Sequence, residues 1–593
     1  MLNIVIVSGG TGSIALQNGL NNLYGIDNYN LDIVINAYDN GKSTGMCRSV
    51  FENKILGPSD LRKNQLTLFE CVYKDALKNP NSFESKLHSL FELRFTADNY
   101  KMYYTKACQY IVKADYLSNY DKTILHEWVD YFFFESKNNF RKNVLNVNFT
   151  DFSLSNIFYA ACAALNNYSL SKAGSEIAKI LRIKDKVHLI SDVSLLLKAE
   201  TESGYIINDE GDIVCWDNPN DKIVKAILYN ENGEYTPSVD ELNNTPISYV
   251  FQEADIIIFS SGTQWSSLIP TYMHNGFKSL IQNCSAKKYL IMNNVEDHDM
   301  YGISADGILS ILNQYLDLTQ ITIVLNDNAV FSMKSIKGNY NYIHGPLGEL
   351  GEKRHIPEAV VSIILKDYFG LDKKYKLVSD LDGTLWDKEG DGHTKKIGIY
   401  NLGIFEGIIL SGNSYEHVAD VCKKYFTNRQ NNYIYCDYGN TYFRLEDIEH
   451  KEILSEKFLI DIDLINKIDT IEDLHGKLRV RGGSILTIKP LRNRINKLSF
   501  FDKLLRGYDG EYEARIAGRT SIDIMKTNFD KEATLRLIID RMGLNIEDIL
   551  YLGNEINKGN ELCIKNIGVK TIQVNDLFET YIFLKTFSYL NYK

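Results

Sequence analysis

Strand-length apolar runs that end in glycine-rich or acidic turns, and then give way to helical sequence, most constrain what this chain can fold into. The run at residues 2–7 passes straight into Ser8-Gly9-Gly10-Thr11-Gly12-Ser13 and a helical stretch over 14–20. The run at 375–379 passes into Asp380-Leu381-Asp382-Gly383-Thr384 in the same way. Short β-branched runs alternating with longer helical patterns predict parallel sheets with helical crossovers, so both halves read as α/β. Buried strands are expected at 3–7, 31–37, 255–259 and 289–292. Parallel sheets present their chemistry at the carboxyl ends of strands, which makes both turns candidate sites.

A chain of 593 residues exceeds what one core holds, since cores stop growing at roughly 250–300 residues. The helical pattern over 357–368 stops at Gly370-Leu371-Asp372-Lys373-Lys374, a short polar break before the next strand, and the domain boundary belongs near residue 371. Domains are therefore expected at 1–370 and 374–593. Between about 96 and 140 the sequence turns aromatic-rich and helical, over 100–112 and 125–134, and reads as a helical insertion.

Composition narrows the function classes. Hydrophobic residues at 44% and charged residues at 24% fit a globular chain, and a net charge of −11 argues against nucleic acid or an anionic membrane as broad partners. The nine cysteines are scattered without a C-x-x-C pair or zinc-ligand spacing, as expected for reduced thiols in a cytoplasmic protein. The N-terminus lacks the basic n-region and long apolar stretch of a signal peptide. No run reaches the roughly 18–20 apolar residues of a membrane helix. Oligomeric state is left open, a homo-oligomer included.

In the C-terminal part, Asp380 ends a strand and Asp382 follows two residues on, so two carboxylates converge on one phosphate-sized site. One can attack phosphorus while the other protonates the leaving oxygen and later activates water, with Mg2+ offsetting charge. A plain turn or helix cap would use the same residues. Further along come the strand 407–410 ending in Ser411-Gly412-Asn413, the helix opening Asp530-Lys531, and a strand near 549–552 ending in Gly553-Asn554-Glu555, then Gly559-Asn560-Glu561.

This order resembles the haloacid dehalogenase-like (HAD-like) superfamily over nearly all of 374–593. The resemblance implies a Rossmannoid core with an α+β cap at about 427–520, with Asp380 as nucleophile, Asp382 as acid and base, Ser411 as phosphate holder and Lys531 as charge stabiliser. It implies a Mg2+ site at Asp380, Asp382, Asn554 and Glu555 or Glu561. The segments Tyr433 to Asn440, Arg479-Val480-Arg481-Gly482-Gly483-Ser484 and Ala517-Gly518-Arg519-Thr520-Ser521-Ile522-Asp523 look like those of eukaryotic-type phosphomannomutases and related sugar phosphatases. A sugar phosphate is the implied substrate, with Arg481 on phosphate and Arg519, Ser521 and Asp523 on the sugar. The metal loop departs from the family: Asn554 stands where aspartate is usual, which removes a negative charge.

At the N-terminal turn, glycines let backbone amides approach an anion, and the following helix N-terminus favours negative charge. Gly10-x-Gly12-x-x-Ala15 is also close to a dinucleotide fingerprint, but that pattern alone is weak, and the turn lacks the Gly-Lys-Ser/Thr of a P-loop. Asp39-Asn40-Gly41-Lys42-Ser43-Thr44-Gly45-Met46-Cys47-Arg48, Gly57-Pro58-Ser59-Asp60-Leu61-Arg62 and Ser261-Gly262-Thr263-Gln264-Trp265-Ser266 follow. With the opening turn, these resemble the 2-phospho-L-lactate transferase (CofD-like) family, which includes the nucleotide-sugar-binding gluconeogenesis factors.

The resemblance spans 1–368 apart from the insertion, and Leu93-Arg94-Phe95, Asn156, Asn293, Asp299 and Arg354-His355 support it. It implies a Rossmann-like domain that binds a nucleoside-diphosphate-linked ligand through Gly10, Thr11, Gly12, Asp39, Ser43, Asp60, Arg62, Asn156, Gly262 and Ser266. Asp39 and Asp60 would hold or orient a metal and Arg62 would neutralise a phosphate. The plain alternatives are that Asp60 and Arg62 pair with each other and that Ser266 and Ser267 cap a helix. The family usually reads Asp-Asp-Gly-Gly where this chain has Asp39-Asn40-Gly41-Lys42, which points to a changed metal site or ligand. The joint expectation is a bifunctional enzyme: transfer of a phosphorylated group from an activated donor, and Mg2+-dependent hydrolysis of a phosphate monoester. The alternative is a nucleotide-sugar-binding regulator with an attached active or retired phosphatase.

Overall fold

The computed structural model describes all residues except 10, 136–142, 240–246, 330–335, 337, 388–396, 398–406, 427–432, 490–493, 518–520, 558 and 593. These residues form two compact units, Leu2–Tyr368 and, with Met1, Phe369–Lys593. Among the described residues, no helix is long and apolar enough to cross a membrane.

The first unit is built on seven strands: β1 (Leu2–Ser8), β2 (Tyr29–Ile35), β3 (Val187–Leu189), β4 (Ile256–Phe259), β5 (Lys287–Ile291), β6 (Ile321–Asn326) and β7 (Asn341–Gly345). Their order is β7-β6-β5-β4-β1-β2-β3, and every pairing is parallel. A parallel sheet covered on both faces needs near-continuous apolar strands, and Ile4 to Val7 and Ile256 to Phe259 are buried throughout. Helix α1 (Thr11–Tyr24) follows β1 and packs on α2 (Pro357–Tyr368), the helix expected at 357–368. A Cβ on Gly19 would come within 2.8 Å of the Pro357 backbone, so the helices meet where one residue has no side chain.

The helical region is wider than the aromatic insertion alone. Helices already run over Lys42–Val50, Pro58–Val72 and Phe83–Phe91, and continue through Tyr100–Lys113 and Asn119–Asp130 to Leu154–Leu165 and Leu170–Ile180. Helix Pro58–Val72 starts on a proline whose missing N–H costs nothing at a helix start, and it is buried along most of its length. A small antiparallel sheet of Leu196–Thr201, Ile206–Ile207, Ile223–Asn230 and Gly233–Glu234 was not expected from the sequence.

The second unit has a core sheet of β8 (Lys376–Ser379), β9 (Ile408–Leu410), β10 (Tyr433–Cys436), β11 (Thr441–Arg444) and β12 (Asp447–Ile453), completed by two later strands (Ile549–Gly553 and Lys570–Gln573) that lie beyond β8. Its central pairings are parallel, whereas β10, β11 and β12 form an antiparallel edge. Val378, Leu410, Leu535, Ile538 and Tyr551 belong to its core. A separate antiparallel sheet of Leu478–Arg481, Ile485–Ile488, Ser521–Lys526 and Tyr512–Ala517, in that order, is the cap. Leu464, Leu486, Phe501, Ile522 and Ile524 give the cap its own core.

Candidate functional site

In the second unit, β8 ends where it pairs with β9 and with strand Ile549–Gly553, and the next residue is Asp380. Asp380 N–H donates to Leu552 O at 2.9 Å, which fixes the carboxylate above the strand ends. Helix Lys531–Met542, capped by the Asp530 side chain, carries Lys531 on its first turn. The Lys531 ammonium donates to Asp380 Oδ1 at 2.7 Å, to Glu561 Oε1 at 3.1 Å and to the Tyr551 hydroxyl at 3.3 Å. Burial pushes the Asp380 carboxyl up to about 7, against the pull of the Lys531 charge. The Lys531 ammonium opposes its own burial through Asp380, and its pKa is raised.

Asp382 sits one turn away. Ser411 Oγ donates to Asp382 Oδ2 at 3.2 Å, and His417 Nε2 lies 3.1 Å from Asp382 Oδ1. Burial opposes its charge, yet the hydrogen bonds from His417, Asn413 and Ser411 together hold its pKa below the usual carboxylate range. No sequence motif pointed to His417. It is three residues past Ser414 on helix Tyr415–Tyr425, and only the packing of that helix brings it to Asp382. Gly383 has φ 78°, and a Cβ there would meet Asn554 Nδ2 at 2.2 Å, so this turn requires glycine for its conformation and its space.

Asp380, Asp382, Asn413, His417, Asn554 and Glu555 line one side of a cleft of about 780 Å³. The cap lines the other with Lys477, Arg479, Arg481, Lys489, Ser521 and Asp523. Glu561 is placed differently from a metal ligand. Its Oε1 accepts from Lys531 and Tyr551, its Oε2 accepts from Glu555 N–H at 2.8 Å, and it does not line the cleft. Arg481 pairs with Asp523 and donates to Thr487 Oγ1 at 2.9 Å within the cap, and it reaches across to the core to donate to Gly412 O at 3.0 Å. Asp523 is 1% exposed and also accepts from Thr487 at 2.6 Å. Arg519 lies outside the described residues.

In the first unit the expected residues divide between two places. Gly12, Ser261, Gly262, Asn293, Asp297, Arg354 and His355 border a largely apolar cavity of about 540 Å³ beside α1. A Cβ on Gly12 would meet Ser261 O at 2.1 Å, which explains the glycine. Gly262 N–H donates to Asn293 Oδ1 at 2.9 Å, and His355 Nε2 is buried without a hydrogen-bond partner among the described residues. Gly10 and the Thr11 side chain lie outside what is described. Ser266 turns to Asp299, which accepts its N–H at 3.1 Å and stands at the start of the helical turn Gln264–Leu268. Burial pushes the Asp299 carboxyl up to about 7.

The second place is polar. Asn156, fully buried, donates to Ser43 Oγ at 3.1 Å and Ser59 Oγ at 3.2 Å, with Asp60 on the same helix as Ser59. Asp60 and Arg62 do not pair with each other: Lys63 reaches Asp60 at 3.2 Å, and Arg62 reaches Glu92 at 3.0 Å. Asp39 accepts from Gly41 N–H at 2.7 Å. Glu210 joins this group. Burial first, then the Asp39 and Asp60 charges, push its carboxyl up to about 8, and burial pushes Asp60 up to about 6. Glu210 comes from the segment that forms the small antiparallel sheet, and no local motif marks it.

A family model described as 2-phospho-L-lactate transferase CofD matches residues 4–347. A Thermotoga maritima protein provisionally named a gluconeogenesis factor is 25% identical over 326 residues, covering 55% of this chain and 79% of its own. Among solved structures, a UPF0052 family member from Bacillus halodurans covers 61% of this chain and all of its own, at 19% identity and TM-score 0.42. A haloacid dehalogenase-like hydrolase from Bacteroides thetaiotaomicron covers 31% of this chain and 83% of its own, at 14% identity and TM-score 0.25.

Proposed function

Because the chain belongs to the 2-phospho-L-lactate transferase CofD family, we propose that its first unit binds a nucleoside-diphosphate-linked donor and transfers a phosphorylated group from it, while its second unit hydrolyses a phosphate monoester. The observation that carries the second half is the buried Lys531 ammonium held between Glu561 and Asp380 at the strand ends, with Asp380 lining the cleft of about 780 Å³. Burying three charges costs several kcal/mol unless they are paired, and such clusters gather where chemistry needs them.

In this reading Asp380 attacks phosphorus through the oxygen that Lys531 does not hold, and the bond from phosphorus to the leaving oxygen breaks as Asp382 gives that oxygen a proton. Water then attacks the aspartyl-phosphate, Asp382 takes its proton, and phosphate leaves with the Asp380 carboxylate restored. The negative phosphate arriving beside Asp382 favours its protonated form for the first step. Lys531 offsets charge on Asp380 and on the transferring group. Asp380, Asp382, Asn554 and Glu555 supply oxygen donors only, which suits Mg2+, and Glu561 supports the site through Lys531. Mg2+ would supply charge neutralisation on the phosphate oxygens. The cationic cap side chains Lys477, Arg479 and Lys489 favour an anionic substrate such as a sugar phosphate.

For the first unit, the Gly12 turn and the neighbouring cavity support a phosphate and an apolar group side by side. Asp39, Asp60 and Glu210 offer oxygen donors for a hard cation. Asp39-Asn40-Gly41-Lys42, standing where the family usually reads Asp-Asp-Gly-Gly, favours a second reading, a regulator that senses the donor without turning it over. Product analysis on the full chain with a panel of nucleoside-diphosphate sugars separates the two. Transfer liberates a nucleoside monophosphate, whereas sensing returns the donor intact.

A further inference from the structure

The helical region carries a cluster that neither proposed activity uses. Cys108 lies on helix Tyr100–Lys113, and His126 and Asp130 lie on helix Asn119–Asp130. His126 and Asp130 are four residues apart, which places them on one face of their helix. Packing of the two helices brings the third side chain to that face. One ligand atom from each, a thiol sulfur, a ring nitrogen and a carboxylate oxygen, lie within 4.8 Å of one another. The geometry points to a transition-metal site of Zn2+ type at Cys108, His126 and Asp130, bridging the two helices.

The donor chemistry is selective. Thiolate and imidazole suit a borderline-soft ion over Mg2+ or Ca2+, and three protein ligands leave a fourth tetrahedral position for water. The charges also balance: one thiolate, one carboxylate and a neutral imidazole cancel a dication. The site is reachable, because the side chains of His126 and Asp130 are 36% and 33% exposed. Its outer partner is present too. Tyr104, one turn before Cys108, donates its hydroxyl to Asp130 Oδ1 at 2.8 Å, which orients the carboxylate while Oδ2 faces His126 Nδ1 at 3.0 Å. Binding replaces that His126 to Asp130 hydrogen bond and the Cys108 S–H bond with three bonds to the ion. The thiol proton is released to solvent, so uptake weakens as pH falls. The raised pKa of Cys108, from burial, adds to that dependence. No spacing cue marks the site in the sequence, since Cys108 and His126 stand eighteen positions apart.

The test is a Co2+ titration of the full-length protein, followed by near-ultraviolet absorbance and by competition with Zn2+. Carboxylate sites elsewhere in the chain bind Co2+ without a sulfur bond, so the informative signal is the thiolate-to-Co2+ charge-transfer band. We expect one equivalent of band in the wild type, displaced by Zn2+. Cys108→Ser should abolish it, and His126→Asn should abolish it or weaken Co2+ affinity by about 100-fold or more. Cys215→Ser and Cys563→Ser, at the exposed and half-buried thiols elsewhere, should leave it intact. Circular dichroism of each variant checks that the helices persist, and the His126→Asn result stands even where Cys108→Ser disturbs packing. Absence of the band in the wild type, or a band that survives Cys108→Ser in folded protein, overturns the proposal.

Discussion

The Lys531 ammonium lies 2.7 Å from Asp380 Oδ1 although 151 positions separate the two residues. Glu561 completes the arrangement, with side chains of Lys531 and Glu561 each 1% exposed. A lone ammonium beside one carboxylate would leave Lys531 free to swing towards Asp380 alone. With Glu561 on its other side, the lysine is fixed at a set distance from the attacking carboxylate.

Glu561→Ala should therefore destabilise the second unit by about 3 kcal/mol or more, because it leaves a buried ammonium half-paired. Glu561→Gln, which keeps the acceptor oxygen, should cost less. Denaturant midpoints of the two variants measure the difference. Equal, small effects below about 1 kcal/mol would mean that Glu561 does not anchor Lys531.

Asp382→Asn should slow release of alkyl leaving groups, which need a proton, far more than release of aryl phosphates, which do not. Relative kcat/KM on a sugar phosphate and an aryl phosphate reports the split. A uniform loss on both would assign Asp382 a purely structural part.

Gly12→Ala brings a Cβ within 2.1 Å of Ser261 O, a backbone atom that can yield only if the turn moves. The variant should lose about 1–3 kcal/mol of stability and bind nucleoside-diphosphate compounds at least tenfold more weakly by calorimetry. Gly507→Ala, where nothing lies within 4 Å, is the control. Unchanged ligand affinity in Gly12→Ala would remove this turn from the binding site.

Asp32 on β2 accepts from His188 at 2.7 Å and Lys186 at 2.9 Å. Burial works against its charge, but those hydrogen bonds hold its pKa below the usual value. A carboxyl depressed in the folded state adds stability above its unfolded pKa of about 3.9, and that contribution is lost as pH falls through the lower folded value. Asp32→Asn should thus cost about 1–3 kcal/mol at neutral pH, and the gap to wild type should narrow as pH falls below about 3.9. Urea midpoints across that range test the sign. A gap that widens on acidification contradicts it.

The elements that organise the fold were legible where periodicity is strong. The helix Pro357–Tyr368 and the strands Leu2–Ser8 and Lys376–Ser379 follow from apolar runs bounded by turn residues. The small sheet around Ile223–Asn230 escaped because its strands carry few local cues, and with it went Glu210. The motif residues Asp380, Asp382, Ser411 and Lys531 are singled out by the order of their motifs and the family resemblance that order carries, and the structure gathers them at one set of strand ends. The direction a side chain takes after its motif was not legible. Glu561 turns to Lys531, Arg481 turns to Asp523, and His417 reaches Asp382, all through packing between elements far apart in sequence. Spacing identifies which groups can meet, whereas burial decides which partner each one must satisfy.

The most direct test of the account is Mg2+-dependent phosphate release by the full-length protein from sugar phosphates and aryl phosphates, set against Asp380→Asn. The variant keeps the shape of the side chain but removes the attacking charge, so turnover should fall by several orders of magnitude while nucleoside-diphosphate binding in the first unit stays unchanged. Wild-type protein inert on every substrate, or an Asp380→Asn variant that releases phosphate at the wild-type rate, would contradict it.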